Sequence, residues 1–297
     1  MKEMQPVDLA EKAERDKGPG RLYIDIVLRF CMNRVALVSF FILLGIAICA
    51  VFAPQIAPFS PYEGDLALYQ AKPSPEHPLG CDEIGRDILS RLIHGARISL
   101  TVGFIAVAIS TSISIVIGLI CGYFQGLVDS IVMRVMEMMM AFPGVLLAII
   151  LMSAFGRGLQ NAILAITIVG IPGGARMVRG LTMAAKESDF IQASRAIGCR
   201  TPAILFRHIL PNIMAPIIVS ATMSISGTIL TTAALGFLGL GIQPPAAEWG
   251  NMIAFGRNYI FSAPHLVVFP GMAIAVVVLT FNMLGDGLRD ALDPRLK

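Results

Sequence analysis

Val35 to Ala53 is an unbroken run without a single charged residue. A helix of that length rises far enough, at about 1.5 Å per residue, to cross a hydrocarbon layer of about 30 Å. Five later apolar runs follow: Ile98 to Phe124, Ile131 to Phe155 (with Arg134 and Glu137), Ala162 to Val178 (with Arg176 near its end), Ile213 to Leu235 and Val267 to Leu284. Composition agrees, with 56% hydrophobic and 14% charged residues and a mean hydropathy of +0.74. Soluble domains carry roughly 25% charged residues. The sequence therefore predicts an all-α integral membrane protein with six transmembrane helices. A cleaved signal peptide is the rival reading of the first run. The polar leader before it and the lack of a small-x-small site after it favour an uncleaved anchor.

Residues 1–33 are polar and basic. Leu22, Ile26, Val27 and Phe30 recur at helical spacing among them, as in an amphipathic helix on a membrane face, and disorder is expected for residues 1–20. The loop 54–96 is rich in proline, and its acids (Glu63, Asp65, Glu76, Asp82, Glu83, Asp87) outnumber Lys72, Arg86 and Arg91. His77, Asp82, Glu83 and Asp87 fit no standard metal-ligand spacing, so no metal is expected there. The cysteines lack metal-site spacing and only Cys81 falls in an outer loop, so no disulfide is expected.

Charge placement orients the chain. One set of segments holds the N-terminal bases, Arg134, Arg176, Arg179, Lys186, Arg195, Arg200, Arg207 and the C-terminal Arg289, Arg295 and Lys297. The other holds only Lys72, Arg86, Arg91, Arg157 and Arg257. The excess of bases marks the cytoplasmic side, so both termini are expected inside the cell membrane.

Three positions in the spans invite a functional reading. Glu137 is an intramembrane acid, balanced by the alternative that it pairs with Arg134 three residues earlier. Met138 belongs to a methionine cluster, an adaptable surface or simple filler. Pro172, followed by Gly173 and Gly174, interrupts the fourth span, where a kink is expected. These three are candidates for a translocation path. Trp249, the only tryptophan, suits an outer interfacial position.

The longest polar interruption in the second half runs from Lys186 to Asn212. Its grammar predicts two short helices. Asp189 caps the first, with Gln192 reaching back, and Gly198 closes it in the left-handed conformation. Thr201 caps the second with Pro202 at its first position, and Pro211 stops it. Phe190, Ala193 and Ile197 share one face of the first helix, a surface suited to docking. A solvated basic loop is the alternative from spacing alone.

Four stretches resemble one family. Gln192-Ala193-Ser194, three residues, Gly198, nine residues and His208-Ile209-Leu210-Pro211 follow the loop motif of ABC importer permeases, Glu-Ala-Ala…Gly…Ile-x-Leu-Pro. Gln192, Ser194 and His208 depart from it. His77-Pro78-Leu79-Gly80-Cys81-Asp82-Glu83-Ile84-Gly85-Arg86-Asp87 and Phe237-Leu238-Gly239-Leu240-Gly241-Ile242-Gln243-Pro244-Pro245…Glu248-Trp249-Gly250 resemble the peptide and nickel branch. So does the tail Gly285-Asp286-Gly287-Leu288-Arg289-Asp290-Ala291-Leu292-Asp293-Pro294-Arg295, and the pattern is that of the C-type permease of a pair.

The resemblance implies a type I ABC importer transmembrane domain (MetI-like). It spans residues 97–297, with a cytoplasmic coupling loop 186–211, behind a first helix and extracytoplasmic loop over 34–96. It implies an inner-membrane, non-catalytic subunit that passes di- and oligopeptides. The expected partners are a homologous second permease, two cytoplasmic ABC ATPases that carry ATP and Mg, and an extracytoplasmic binding protein. Gln192, Ala193, Ser194, Arg195, Gly198, Leu210 and Pro211 are the expected ATPase-coupling residues. Nickel, glutathione or another small solute is the alternative cargo, and an ion-coupled secondary transporter the alternative class. The chain has no G-x-x-x-x-G-K-[ST] loop, no nucleophile–base–orienter set and no concentrated basic patch, so neither ATP binding by that route, catalysis nor nucleic-acid binding is expected.

Overall fold

A computed structural model describes residues 27–292. The expected disorder over residues 1–20 and the positions Leu22, Ile26 and Asp293 to Arg295 lie outside them. Residues 27–32 are helical, and Phe30 meets Phe40 edge to face at 6.4 Å. The principal helices are α1 (Arg34–Val51), α2 (Ile88–Phe124), α3 (Gly126–Met140), α4 (Gly144–Phe155), α5 (Leu159–Lys186), α6 (Asp189–Ala196), α7 (Thr201–Phe237), α8 (Trp249–Gly256) and α9 (His265–Leu292).

Among the described residues five helices are long and apolar enough to cross a membrane, and six spans result if the bent pair α3–α4 counts as one. That pair corrects the continuous third span expected over Ile131 to Phe155. The two helices meet at 95° around Ala141-Phe142-Pro143. Proline cannot donate a backbone hydrogen bond and disfavours a helical residue before it, so the chain leaves α3 here and starts α4 immediately after Pro143.

The second span begins ten residues earlier than its apolar run suggests, because Asp87 caps α2 by accepting from the Ser90 amide at 2.7 Å. Polar Arg91, His94 and Arg97 hide this first part of the helix in a hydropathy reading, yet Arg91 is buried. The fourth span is not interrupted. Helix α5 runs through Pro172-Gly173-Gly174 without a break.

Helices α2 and α5 form the most extensive pairing. Near the C-terminal ends of the two helices Gly122 lies where an added Cβ would meet Thr182 and the Arg179 carbonyl at 2.7 Å. Without side chains at such points, membrane helices approach closely enough to gain dispersion contacts along their length. Ser114 adds a cross-link by donating to the Ile171 carbonyl at 3.0 Å. Helices α7 and α9 pack beside this pair, joined by Ser226 donating to Asn282 at 2.8 Å. Helix α1 closes against α9, where the Asn33 amide donates to Asp290 at 3.3 Å and the same side chain caps α1.

Candidate functional site: the coupling helix and the bundle above it

The polar interruption folds as one short helix followed directly by the fifth span. Helix α6 is capped by Ser188, with Asp189 at its first position, and Ser188 makes no side-chain capping bond. This corrects the cap expected at Asp189. Gln192 instead donates to the Glu187 carbonyl at 3.2 Å. At the other end Gly198 has φ +81. The Gly198 amide bonds the Arg195 carbonyl at 2.9 Å and the Cys199 amide bonds the Ser194 carbonyl at 3.1 Å. These two bonds form the Schellman closure that a left-handed residue permits.

The second helix does not stop at Pro211. Thr201 is its first residue, after Arg200, rather than its cap, and the helix continues as α7 to Phe237. Ile204–Ile209 forms a π-helical turn, with the Leu210 amide bonding the Leu205 carbonyl five residues back. The wider turn takes up Pro211, whose missing amide would leave a gap in a regular ladder. Leu210 and Pro211 therefore sit where the polar segment enters the membrane helix, instead of ending a separate one.

Helix α6 turns one apolar residue inward. Ile191 is fully buried, in a cluster with Leu119 and Tyr123 of α2, Val178 of α5 and Leu205 and Ile209 of α7. Its other apolar residues face out: Phe190 is 46% and Ile197 80% exposed, and Ala193 between them is exposed. Gln192 is exposed and Ser194 half-buried on the same helix. Arg195 lies over the ring of Tyr123, with its guanidinium carbon 4.8 Å from the ring centre. The geometry leaves an exposed apolar strip, rimmed by amide and hydroxyl groups, on a helix held by the inward Ile191 and by Arg195 over Tyr123.

Nearby, Arg179 of α5 and Asp129 of α3 form a bidentate pair with both nitrogen–oxygen distances at 2.6 Å. Asp129 is the only residue that α3 buries. Fifty positions of sequence separate the two partners, and no local pattern announces them. Glu137 pairs with Arg134 at 3.0 Å, in line with the pairing alternative, and both side chains are exposed. Met138 is exposed on the same helix.

Between α2, α5 and α7 lies a cavity of about 260 Å³. Its walls carry Ser110, Thr111, Ser114, Ser220, Ser224 and Thr228, with Gly173 and Gly174. No ionisable side chain lines it. Pro172 is buried and precedes the two wall glycines, while Glu137, Met138 and Pro172 are not among the wall residues.

On the opposite side, the His77-to-Asp87 stretch locks onto α2. His77 Nδ1 meets Asp87 at 2.9 Å. Asp82 pairs with Arg86 at 2.7 Å and with Arg91 at 3.4 Å, and Arg91 donates to the Pro61 carbonyl at 2.9 Å. His77 and Asp87 thus form an imidazole–carboxylate pair, while Asp82 and Glu83 belong to an arginine cluster. Burial, with Asp87 and Asp82 nearby, pushes the Cys81 thiol up to about 11, so it stays protonated and unreactive.

Trp249 is not at an interface with water or lipid. It is buried, packs on Gly95 of α2, and donates from its indole to the Leu92 carbonyl at 3.0 Å. Glu248 caps α8 through the Gly250 and Asn251 amides at 2.8 and 2.9 Å and is itself buried. Within the Phe237-to-Gly250 signature, Glu248, Trp249 and Gly250 thus clasp α7, α8 and α2 together, while Phe237, Leu238, Pro244 and Pro245 are exposed.

Comparison with known proteins agrees with this architecture. Residues 114–297 match the family described as binding-protein-dependent transport system inner membrane component, and residues 22–74 match the N-terminal transmembrane domain of oligopeptide transport permease C. A dipeptide transport system permease of Alkalihalophilus pseudofirmus is 46% identical over 265 residues, covering 89% of this chain and 87% of that protein. A di/tripeptide permease of Pseudomonas aeruginosa is 46% identical over 274 residues, covering 90% of each. A glutathione permease of Pectobacterium atrosepticum is 44% identical over 285 residues, covering 95% and 94%. In fold, the chain is similar to an inward-facing structure of the MetNI methionine ABC transporter, with TM-score 0.58 at 19% identity, over 69% of this chain and 98% of that one. The chain belongs to the binding-protein-dependent transport system inner membrane component family, and it is a membrane permease subunit of the ABC importer class.

Proposed function

We propose that this chain forms one half of the translocation path of an ATP-driven importer for di- and oligopeptides, with its coupling loop docked on a cytoplasmic ATPase. The observation that carries the docking is α6 itself: a capped short helix whose apolar strip is turned away from its own bundle. Gln192, Ala193 and Ser194 contact the ATPase in this reading. Gly198 holds the turn, and Leu210 and Pro211 fix how the segment enters α7. Arg195 is directed toward Tyr123 and steadies the helix. Both termini are cytoplasmic by the placement of basic residues.

The partners are a homologous second permease, two ATPases that hold ATP and Mg, and a binding protein on the outer side. The exposed Arg134–Glu137 pair argues for the second permease. Exposed charges are costly against lipid, and a protein neighbour or aqueous seam avoids that cost. Glu137 and Met138 then border the path at that seam, and Pro172 sets the two glycines of the cavity wall. Closure of the ATPases draws the coupling helices together and converts an inward-facing bundle to an outward-facing one. Cargo biases that equilibrium only by its different affinity for the two states.

The peptide assignment leans on relatives and on the cavity. Its walls, apolar with six hydroxyl groups and no charge, suit a neutral or zwitterionic solute that carries its own amides. Glutathione, the cargo named for one relative, is itself a tripeptide. Reconstitution with the partner subunits and a panel of labelled dipeptide, tripeptide, glutathione and Ni²⁺ tests this. ATP-dependent uptake of peptides supports it, and uptake of Ni²⁺ alone refutes it.

A further inference from the structure

Tyr123 occupies the last turn of α2 and is 9% exposed. Two cations from two other helices lie over its ring. The Arg195 guanidinium of α6 is 4.8 Å from the ring centre, and the Lys186 ammonium at the end of α5 is 5.7 Å away. Among the described residues neither cation has an ion-pair partner. The negative face of the ring is what brings two like charges together here.

We propose that Tyr123 is a positioning residue through which the coupling helix moves α2. The proposal rests on the reading of α6 as the ATPase-docking element. Two features tie α6 to α2: Ile191 lies in the apolar cluster that also holds Leu119 and Tyr123, and Arg195 lies over the Tyr123 ring. The apolar contact tolerates sliding, whereas a cation over a ring face is directional. Lys186 clamps the end of α5 to the same ring, so the turn that joins α5 to α6 is spanned by one aromatic of α2. From Tyr123 the helix runs unbroken to Ser114, Thr111 and Ser110 on the cavity wall. At about 1.5 Å per residue, that places the wall roughly 14–20 Å from the ring, along a rigid rod. A displacement imposed on α6 thereby reaches the cavity through α2 as well as through the covalent link to α5.

The test uses the full complex in proteoliposomes, with permease pair, ATPases and binding protein. Dipeptide uptake and ATP hydrolysis are read from the same sample, and ATPase co-purification is scored in parallel. Tyr123→Phe keeps the ring face and is expected to retain the wild-type uptake per ATP. Tyr123→Leu keeps apolar bulk but removes the ring, and uptake per ATP is expected to fall roughly fivefold or more with the ATPase still bound. Lys186→Gln combined with Arg195→Gln leaves the packing of Tyr123 in place and is expected to give a similar fall. An unchanged ratio in Tyr123→Leu, or an equal loss in Tyr123→Phe, overturns the proposal. Should Tyr123→Leu fail to assemble, the double variant decides, and its unchanged ratio overturns the proposal. Absence of any bound ATPase in the wild type instead refutes the docking reading.

Discussion

Replacement of Gly198 isolates the turn that closes the coupling helix. An added Cβ at this position has nothing within 4 Å, so a substitution meets no steric obstacle. Its whole cost lies in the backbone, which holds φ at +81. A residue other than glycine pays about 1–2 kcal/mol there, asparagine less because it visits the left-handed region readily, and a β-branched residue more. If the chain leaves that conformation, the two closing bonds from Gly198 and Cys199 are lost and the exposed strip turns with them. A penalty of about 1–2 kcal/mol lowers the population of the docking conformation roughly five- to thirty-fold. The expected order of ATPase affinity is therefore Gly198, then Gly198→Asn, then Gly198→Ala, then Gly198→Val, with membrane insertion unchanged in all. Affinity is read by titrating purified ATPase onto the nanodisc-embedded permease pair, and coupled uptake should follow the same order. Equal affinity for all four, or Gly198→Val above Gly198→Asn, refutes the argument that φ rather than space governs this site.

Further outcomes are expected at three contacts. Asp129→Ala strands Arg179 next to a buried surface and should lower stability by about 2–3 kcal/mol, read as thermal unfolding in detergent, with partial recovery when Arg179→Met is added. Burial pushes the Glu248 carboxyl from its ordinary 4.5 up to about 7, against the pull of the Gly250 and Asn251 amides. The fold thus favours the protonated acid, so this contribution is complete below about pH 4.5 and is lost as pH rises through about 7. It amounts to about 3 kcal/mol at most, and Glu248→Gln should flatten that slope in a melting series from pH 4.5 to 8. Gly95→Ala places a methyl group where the Trp249 indole already sits at 2.7 Å and should cost about 1–3 kcal/mol in the same melting assay, whereas Trp249→Phe should lose about 1 kcal/mol with the Leu92 bond.

Much of the bundle was legible in the sequence because lipid permits few solutions. Apolar runs of span length are helices: α2, α5, α7 and α9 each contain one of the expected runs, and α1 covers all but the last two residues of the first. Gly198 was legible for a similar reason, since a glycine after a short amphipathic stretch closes a helix. The errors share a different cause. Asp87 caps a helix whose first turns carry Arg91, His94 and Arg97, and burial of a paired arginine is invisible to hydropathy. Pro143 breaks a span while Pro172, Pro211 and Pro216 do not, because neighbouring packing or a π turn decides what each lost amide costs. The Asp129–Arg179 pair, the two cations on Tyr123 and the Trp249 bond to Leu92 all join distant parts of the chain, and only packing brings them together. The two loop signatures carried the resemblance, yet His77, Asp82, Arg86, Asp87 and Glu248 within them are spent on internal locks, so a motif residue need not be a binding residue.

The central claim is that α6 offers its exposed apolar strip to an ATPase. The most direct measurement is co-purification of the tagged chain with its ATPase after gentle solubilisation, for the wild type and for Ala193→Arg. Ala193 is exposed between Phe190 and Ile197, so the arginine leaves the fold of the bundle intact and places a charge in the strip. The account predicts an ATPase bound to the wild type and lost from the variant, with the second permease retained in both. An ATPase bound equally by both proteins, or by neither, contradicts it.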